Sequence, residues 1–294
     1  MWIRPQRTLQ APVQVTGVAM FSGADARVRI LPAGPDHGIR FRRTDLRDAP
    51  TIPASIQYLS PLHRRTGLQR AEASVAMVEH VLAALAGLHI DNCIVEINAP
   101  EFPALDGSCK EYTEKILTEG IEELDVPIHP FPVPCMQIED RTGASGRVVA
   151  LPDPTGEFTV RYSLNYGSGS PIEPQTFSLS LSPERFARDI APARTFVLES
   201  EVAQLRKFGY GLRMTAKNVL VFGARGVVDN RLRFPDECAR HKVLDCIGDY
   251  SLLGHPLAGL VSAEQSGHAL NHQFIKELIY SSTSNFDRFQ GAAA

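Results

Sequence analysis

A short polar stretch, residues 240–249, places candidate metal ligands at helical spacing. His241, Asp245 and Asp249 follow one another at intervals of four residues, which puts an imidazole and two carboxylates on one face of a helix. An imidazole nitrogen and a carboxylate oxygen one turn apart can both bind a divalent ion such as zinc. The alternative is a solvated helix face that carries an ordinary pair of polar side chains. A third ligand is needed for a metal site.

The other half of the chain offers that ligand. Glu79 and His80 interrupt the otherwise apolar residues 77–85. Burying a charged carboxylate without a partner is costly, so a metal site or a catalytic role explains this pair better than core packing does. With His80, His241 and Asp245 as ligands, the site has the open fourth position of a catalytic zinc centre. Two histidines and one carboxylate also bind Fe(II).

A further candidate is His268, which precedes a predicted C-terminal helix and lies beside Gly267 on a predicted loop. An imidazole there is suited to act as a general acid near neutral pH, and Asp249 can hold it. The alternative is a surface histidine. The remaining histidines have no acidic or histidine neighbour at ligand spacing and are expected to be structural or surface residues: His37, His63, His89, His129, His255 and His272.

The elements that must position these side chains can be predicted from periodicity and turn residues. Helices are expected over residues 74–88, after Asp106, from Ser182 as a capping residue before Pro183, and from Asp236 to about Gly254. Tyr112 and Ile116 should face inward on the second of these helices. Alternating or apolar runs predict strands at residues 27–30, 93–97, 146–151 and 158–164.

Domain organisation is indicated by a proline-rich stretch. Residues 127–134 contain four prolines, which exclude a helix and disfavour a central strand. We interpret this stretch as a linker between residues 1–126 and 135–294. Each half runs strands first and helices later, which predicts two α+β domains of similar plan that pack against each other.

Composition limits the function classes. The net charge of -3 provides no basic field for nucleic acid, so we expect no nucleic-acid partner. The five cysteines are odd in number and form no CxxC pair, which favours a reducing compartment. No signal-like apolar region or run of about 20 apolar residues occurs, so we expect a cytoplasmic protein without integral membrane association. We also expect a monomer.

The motifs together resemble the UDP-3-O-acyl-N-acetylglucosamine deacetylase family, the zinc enzymes of the committed step in lipid A biosynthesis. The resemblance covers nearly the whole chain. It rests on residues 42–46 (RRTDL), 78–80 (VEH), 83–87 (AALAG), 91–92 (DN), 106–108 (DGS), 194–196 (RTF), 240–249 (RHKVLDCIGD) and 266–270 (SGHAL).

The resemblance implies an α+β fold of two similar domains, each a β-sheet layered with α-helices, packed helix layer to helix layer and carrying small inserts. It implies zinc-dependent hydrolysis of the N-acetyl group of a nucleotide-sugar lipid precursor. The implied roles are zinc ligation by His80, His241 and Asp245, general-base catalysis by Glu79, general-acid catalysis by His268 with support from Asp249, oxyanion binding by Thr195, substrate contact by Lys242, and lining of the acyl passage by Phe196.

Some positions depart from the family pattern near the substrate. Phe21 stands where the family has a histidine, Met77 where it has a threonine, and Arg213 with Met214 where it has two glycines. Bulky side chains in place of glycine would narrow or redirect the acyl passage, and Arg213 is alternatively a phosphate contact. These departures keep open the alternative of a paralogous zinc deacetylase that acts on another N-acetylated amino sugar.

Two other function classes predict sequence features that do not occur here. A non-catalytic nucleotide-sugar-binding protein would have lost a ligand, base or acid, and a zinc peptidase would carry HExxH.

Overall fold

Six helices occur in residues 3–140 and 146–291, the part of the chain that this computed structural model describes; side chains are described as far as residue 281. The helices are α1 (Glu79–Gly87), α2 (Lys110–Glu119), α3 (Pro183–Asp189), α4 (Glu199–Lys207), α5 (Glu237–Tyr250) and α6 (His268–Gly291). The predicted domains also include residues 1–2, 141–145 and 292–294, which lie outside the described residues.

Short strands make up most of the remaining regular structure. In the first half they are β1 (Arg4–Leu9), β2 (Val13–Val18), β3 (Asp25–Pro32), β4 (Ile39–Arg43), β5 (Thr51–Pro53), β6 (Leu59–Ser60), β7 (Gly67–Arg70), β8 (Ala73–Ala76), β9 (Cys93–Ile97) and β10 (Ile121–Ile128). In the second half they are β11 (Phe131–Pro132), β12 (Met136–Glu139), β13 (Arg147–Leu151), β14 (Phe158–Leu164), β15 (Gln175–Ser180), β16 (Phe196–Leu198), β17 (Leu220–Gly223), β18 (Gly226–Val227) and β19 (Leu257–Glu264).

The two large sheets share one strand order. The first runs β2-β3-β9-β4-β5 and the second runs β12-β13-β19-β14-β15, with β11 also paired to β19. In each sheet the last strand in sequence lies in the middle, antiparallel to one neighbour and parallel to the other. Smaller sheets, β6-β7-β8 and β16-β17-β18, are added to this plan. The α+β class is therefore confirmed.

Most predicted strands and helices are found where the sequence indicates them. The central strand β9 spans the predicted residues, and its Cys93, Val95 and Ile97 are fully buried. Ser182 caps α3 by accepting a hydrogen bond from the Arg185 backbone. On α2, Tyr112 is buried, as is Ile116 one turn further on.

The predicted start of the first helix is wrong. Residues 74–76 belong to β8, which pairs with β7, and Ala76 also donates a backbone hydrogen bond to Pro100. Met77 then takes a left-handed φ of 60°, which ends the strand before the helix begins at Glu79. The Ala and Leu spacing that favoured a longer helix holds only from residue 79 onward.

The proline-rich stretch is more structured than a bare linker. The strand β10, which pairs with β1, continues to Ile128, and β11 pairs with the first two residues of β19. Proline fits here because each of these strands leaves backbone donors unpaired on one side. The domain boundary at residues 127–134 stays a prediction.

Two helices, α1 and α5, form the centre of the molecule. Every α1 residue except Ala86 is buried, as are most residues of α5. They pack without a side chain between them at Gly248, where a Cβ atom would lie 2.1 Å from the Glu79 carbonyl oxygen. Since Glu79 and His80 begin α1 and His241 lies on α5, this contact brings the predicted site residues together.

Among the residues that the structure describes, no helix combines the length and the apolar character needed to cross a bilayer.

Replacing Gly248 with alanine should destabilise the protein. Alanine normally favours an exposed helix by about 1 kcal/mol relative to glycine, but here its methyl group would collide with the Glu79 backbone. We expect the free energy of unfolding, measured by urea denaturation, to fall by about 1–3 kcal/mol, as in other overpacked cores.

Gly34→Ala is the matched control, because a Cβ atom at Gly34 would meet no atom within 4 Å. A Gly248→Ala protein as stable as the wild type would contradict the close approach of the two helices.

Candidate metal centre and active site

Two histidines and one aspartate converge where α1 and α5 meet. Asp245 Oδ1 lies 3.4 Å from His241 Nε2 and 3.9 Å from His80 Nε2. One ligand atom from each of the three residues lies within 4.8 Å of the other two, and all three side chains are buried. The structure thus brings together the three residues that the sequence indicated as ligands, from two distant parts of the chain.

Neighbouring groups orient this cluster. His241 Nδ1 lies 3.1 Å from the Ala193 carbonyl oxygen, which can only accept a hydrogen bond. The Nδ1 atom therefore carries the proton, and Nε2 presents its lone pair to the cluster. Lys242 Nζ lies 3.0 Å from Asp245 Oδ2, which leaves Oδ1 facing the two histidines.

The protonation states of the cluster suit a cation. Burial, reinforced by His241, lowers the pKa of His80 to about 3, and burial also lowers the pKa of His241. Burial raises the pKa of Asp245, but Lys242 and His241 outweigh it and lower this pKa to about 2. Neutral imidazoles and an ionised carboxylate are the forms that bind divalent metals. The residues present therefore fit a metal ion.

A second group, Glu79, His268 and Asp249, lies beside the cluster. Glu79 Oε1 is 3.9 Å from His268 Nε2, and His268 Nδ1 is 2.8 Å from Asp249 Oδ2. His268 is the first residue of α6 rather than part of a loop. The helix starts there because the Asn271 backbone already donates a helical hydrogen bond to Gly267.

Both ends of this group have a pKa that is raised relative to solution, for different physical reasons. Burial raises the pKa of Glu79 to about 7, although His268 acts in the other direction. Burial lowers the pKa of His268, but the Asp249 carboxylate outweighs it and raises this pKa to about 9. At neutral pH, His268 is accordingly protonated, while Glu79 can exchange a proton. Such a pair provides a base and an acid at one site.

Thr66 links the two carboxylates, although the sequence did not indicate it. Its backbone N–H donates to Glu79 Oε2 at 3.0 Å, and its hydroxyl donates to Asp249 Oδ1 at 2.6 Å. Thr66 lies in an arginine-rich turn with no local signal of function, and it meets Asp249 only through the fold. Thr66 therefore fixes the carboxylate of Glu79 so that Oε1 remains directed toward His268.

The expectation that His272 lacks acidic or histidine neighbours is wrong. His272 Nε2 lies 3.4 Å from Asp249 Oδ1, and Asn271 Nδ2 donates to Asp249 Oδ2 at 2.9 Å. His272 follows His268 by four residues on the same helix, so it faces the same side. This four-residue spacing is the sequence signal that identifies His272, and the prediction of a loop at residue 268 hides it.

The segment before β16 lies along the metal cluster. The buried Arg194 pairs with Glu237 at 2.7 Å and fixes this segment to the start of α5. The Thr195 backbone bonds to Gly107 and Leu220, while its hydroxyl has no hydrogen-bond partner among the described residues. The Phe196 ring lies 6.4 Å from the His241 ring and 5.9 Å from Lys242 Nζ. The Phe196 ring therefore borders the cluster, whereas the position of Thr195 is fixed by its backbone bonds.

The residues that depart from the family pattern are held by contacts with different parts of the chain. The Phe21 ring packs edge-on against Tyr210 at 5.1 Å, and the Arg65 guanidinium lies 3.9 Å above the Phe21 ring centre. Arg213 turns away to Gly23 O and to Asp25, with an ion-pair distance of 3.0 Å, whereas Met214 is buried. Met77 is also buried and supplies the turn before α1.

These features define a class of site. A buried set of two imidazoles and one carboxylate can hold a metal ion, and the adjacent carboxylate and protonated histidine can exchange protons with a bound molecule. Metal-dependent hydrolases use this combination of groups.

Comparisons with known proteins identify the family. The model of the LpxC family, UDP-3-O-acyl N-acetylglycosamine deacetylase, matches residues 6–280, and the chain belongs to this family. A relative from Myxococcus xanthus (strain DK1622) is 36% identical over 93% of this chain and 86% of its own length. A relative from Anaeromyxobacter dehalogenans (strain 2CP-C) is 37% identical over 93% and 87%. One from Psychrobacter sp. (strain PRwf-1) is 33% identical over 96% and 94%. All three are named UDP-3-O-acyl-N-acetylglucosamine deacetylase.

Proposed function

We propose that this protein hydrolyses the N-acetyl group of UDP-3-O-(3-hydroxyacyl)-N-acetylglucosamine, releasing acetate and the free 2-amino sugar in lipid A biosynthesis. The observation that carries the proposal is the position of Glu79 and His268, 3.9 Å apart, beside three buried metal-binding side chains in a member of the deacetylase family. In this proposal the protein acts in the cytoplasm as a monomer.

His80, His241 and Asp245 would hold the metal ion. Zinc is the proposed metal because two nitrogens and one oxygen with an open position suit it, and Fe(II) is the alternative for the same ligands. When bound, such an ion lowers the pKa of a coordinated water and polarises a carbonyl group.

The protein's own groups move the protons. Glu79 Oε1 takes a proton from the attacking water, because Oε2 is already held by the Thr66 backbone. His268 Nε2 delivers a proton to the departing amine, since Nδ1 is held by Asp249. The carbon–nitrogen bond of the acetamide breaks, the water oxygen remains on the acetate, and the nitrogen leaves as an amine.

Three further residues bind the substrate in this proposal. The Thr195 hydroxyl donates to the oxyanion that forms at the carbonyl carbon, a contribution worth about 3–4 kcal/mol in related sites. Lys242 contacts the substrate while neutralising Asp245. Phe196 lines the path of the acyl chain next to Tyr166 and Phe222.

A paralogous deacetylase that acts on another N-acetylated amino sugar is the second candidate. The specific observation in its favour is the Phe21, Arg65 and Tyr210 stack, which puts aromatic rings and a guanidinium where the family pattern has an imidazole. This candidate keeps the same metal ligands and the same acid and base, and it differs in the sugar derivative that is bound.

The pH dependence of the reaction should change when the negative charge of Asp249 is removed. The Asp249→Asn substitution removes the negative charge that raises the pKa of His268 to about 9, so this pKa should fall toward the usual value of about 6.5. Because protonated His268 is the acid, the alkaline limb of the kcat/KM profile should move to lower pH. The exposed Asp125→Asn variant is the control, and an unmoved limb in Asp249→Asn would exclude this role of the carboxylate.

The reaction itself is tested with chelator-treated protein, assayed for acetate and amine release with and without added zinc or Fe(II). We expect metal-dependent release from UDP-3-O-(3-hydroxyacyl)-N-acetylglucosamine. Glu79→Gln should lower kcat by about 10²–10⁴-fold, because it removes the base.

Glu111→Gln, which changes a carboxylate on the surface of α2, should keep full activity. A metal-loaded wild type that acts instead on a different N-acetylated amino sugar would establish the paralogue. Release that is independent of metal would contradict both candidates.

A further inference from the structure

A basic segment follows the start of α4. Residues 202–228 contain five Arg and Lys residues and no Asp or Glu, although the whole chain has a net charge of -3. Four of these cations, Arg206, Lys207, Arg213 and Lys217, lie within twelve residues. Arg213 pairs with Asp25, whereas the other three have no ion-pair partner among the described residues. The segment therefore carries a local positive charge that composition alone does not reveal.

Large apolar side chains protrude from the same segment. Phe208 is 65% exposed and Leu212 is 67% exposed, and among the described large hydrophobic residues only Tyr280, at 71%, is more exposed. No residue of α4 is buried. We call Arg206, Lys207, Phe208, Leu212 and Lys217 the α4 patch. Exposed apolar side chains surrounded by unpaired cations are typical of surfaces that contact a membrane interface.

The orientation of the patch is fixed by contacts on its inner side. The Gly211 N–H donates to Met20 O, Tyr210 packs on Phe21, and Met214 is buried. These contacts hold residues 210, 211 and 214 toward the body of the protein. Phe208, which precedes these residues, and Leu212, which lies between them, face outward.

The patch lies next to the catalytic groups. The helix α4 leads directly out of β16, whose Phe196 lies 6.4 Å from the His241 ring. Arg64 forms an ion pair with Glu201 on α4, and Thr66, two residues later, donates to Glu79. A surface that bound the patch would therefore lie at the edge of the site.

We propose that the α4 patch docks the protein on the surface of an anionic phospholipid bilayer. Phe208 and Leu212 would enter the interfacial region, while Arg206, Lys207 and Lys217 would face the lipid phosphates. Nucleic acid suits the patch less well, because its phosphates give no apolar environment to Phe208 and Leu212. The docking does not rest on the proposed reaction, although it would bring an acylated substrate to the site directly from the membrane.

The test is sedimentation of the full chain with vesicles of phosphatidylglycerol and phosphatidylcholine, compared with vesicles of phosphatidylcholine alone, at low and high salt. The wild type should bind the mixed vesicles and dissociate as salt rises. The Phe208→Ser, Leu212→Ser double variant and the Arg206→Gln, Lys207→Gln double variant should each bind about tenfold more weakly.

The matched control is Leu117→Ser with Leu151→Ser, which removes two leucines that are 47% and 42% exposed on other surfaces. This control and Glu79→Gln should bind vesicles like the wild type, so the result can be interpreted whether or not the proposed reaction is found. Thermal unfolding of each variant verifies folding. A wild type that does not bind the anionic vesicles, or patch variants that bind as well as the wild type, would overturn the proposal, as would binding of nucleic acid without binding of vesicles.

Discussion

The close approach of α1 and α5 is the constraint on which the site depends. At Gly248 the backbones of the two helices meet with no side chain between them. This contact places the first turn of α1, with Glu79 and His80, against the His241 and Asp245 face of α5. A wider separation would leave a buried carboxylate and two buried imidazoles without partners, which is costly. The helix α5 also packs on β14 and β15 of the second large sheet.

The polar groups at this contact form two connected networks. Lys242 compensates the charge of Asp245 on one side. On the other side, Thr66, Asn271, His268 and His272 surround Asp249. Asp245 has one oxygen bound by Lys242 and the other directed at His241. Glu79 has one oxygen bound by the Thr66 backbone and the other facing His268. Burial raises the pKa of Glu79 to about 7, whereas the Asp249 carboxylate raises the pKa of His268 to about 9, so one group can accept a proton while the other carries one.

Much of the site could be predicted because its signals are local. His241, Asp245 and Asp249 lie on one helix, and Glu79 with His80 interrupts an apolar run, so local patterns mark these residues as candidates. Thr66 could not be found in this way, since its partners are far away in sequence. His272 escapes prediction because the local sequence favours a loop at His268, where the structure begins α6.

The fold shows the same division. Strand β9 and the cap of α3 follow from local patterns, whereas the start of α1 depends on the pairing of β8 with β7, which overrides the helical spacing of residues 74–78. The positive charge of residues 202–217 can be read from the sequence. Which of its side chains face outward is decided by the contacts of Tyr210 and Gly211 with Met20 and Phe21.

The central claim is that His80, His241 and Asp245 form one metal centre beside Glu79. Anomalous diffraction from crystals of the protein as purified, recorded on both sides of the zinc absorption edge, tests it most directly. The account predicts one strong peak in contact with His80 Nε2, His241 Nε2 and Asp245 Oδ1, present above the zinc edge and lost below it. A peak that persists on both sides of the zinc edge and is lost only below the iron edge would keep the centre and replace the metal. A metal bound by other side chains, with no peak between these three atoms, would contradict the account.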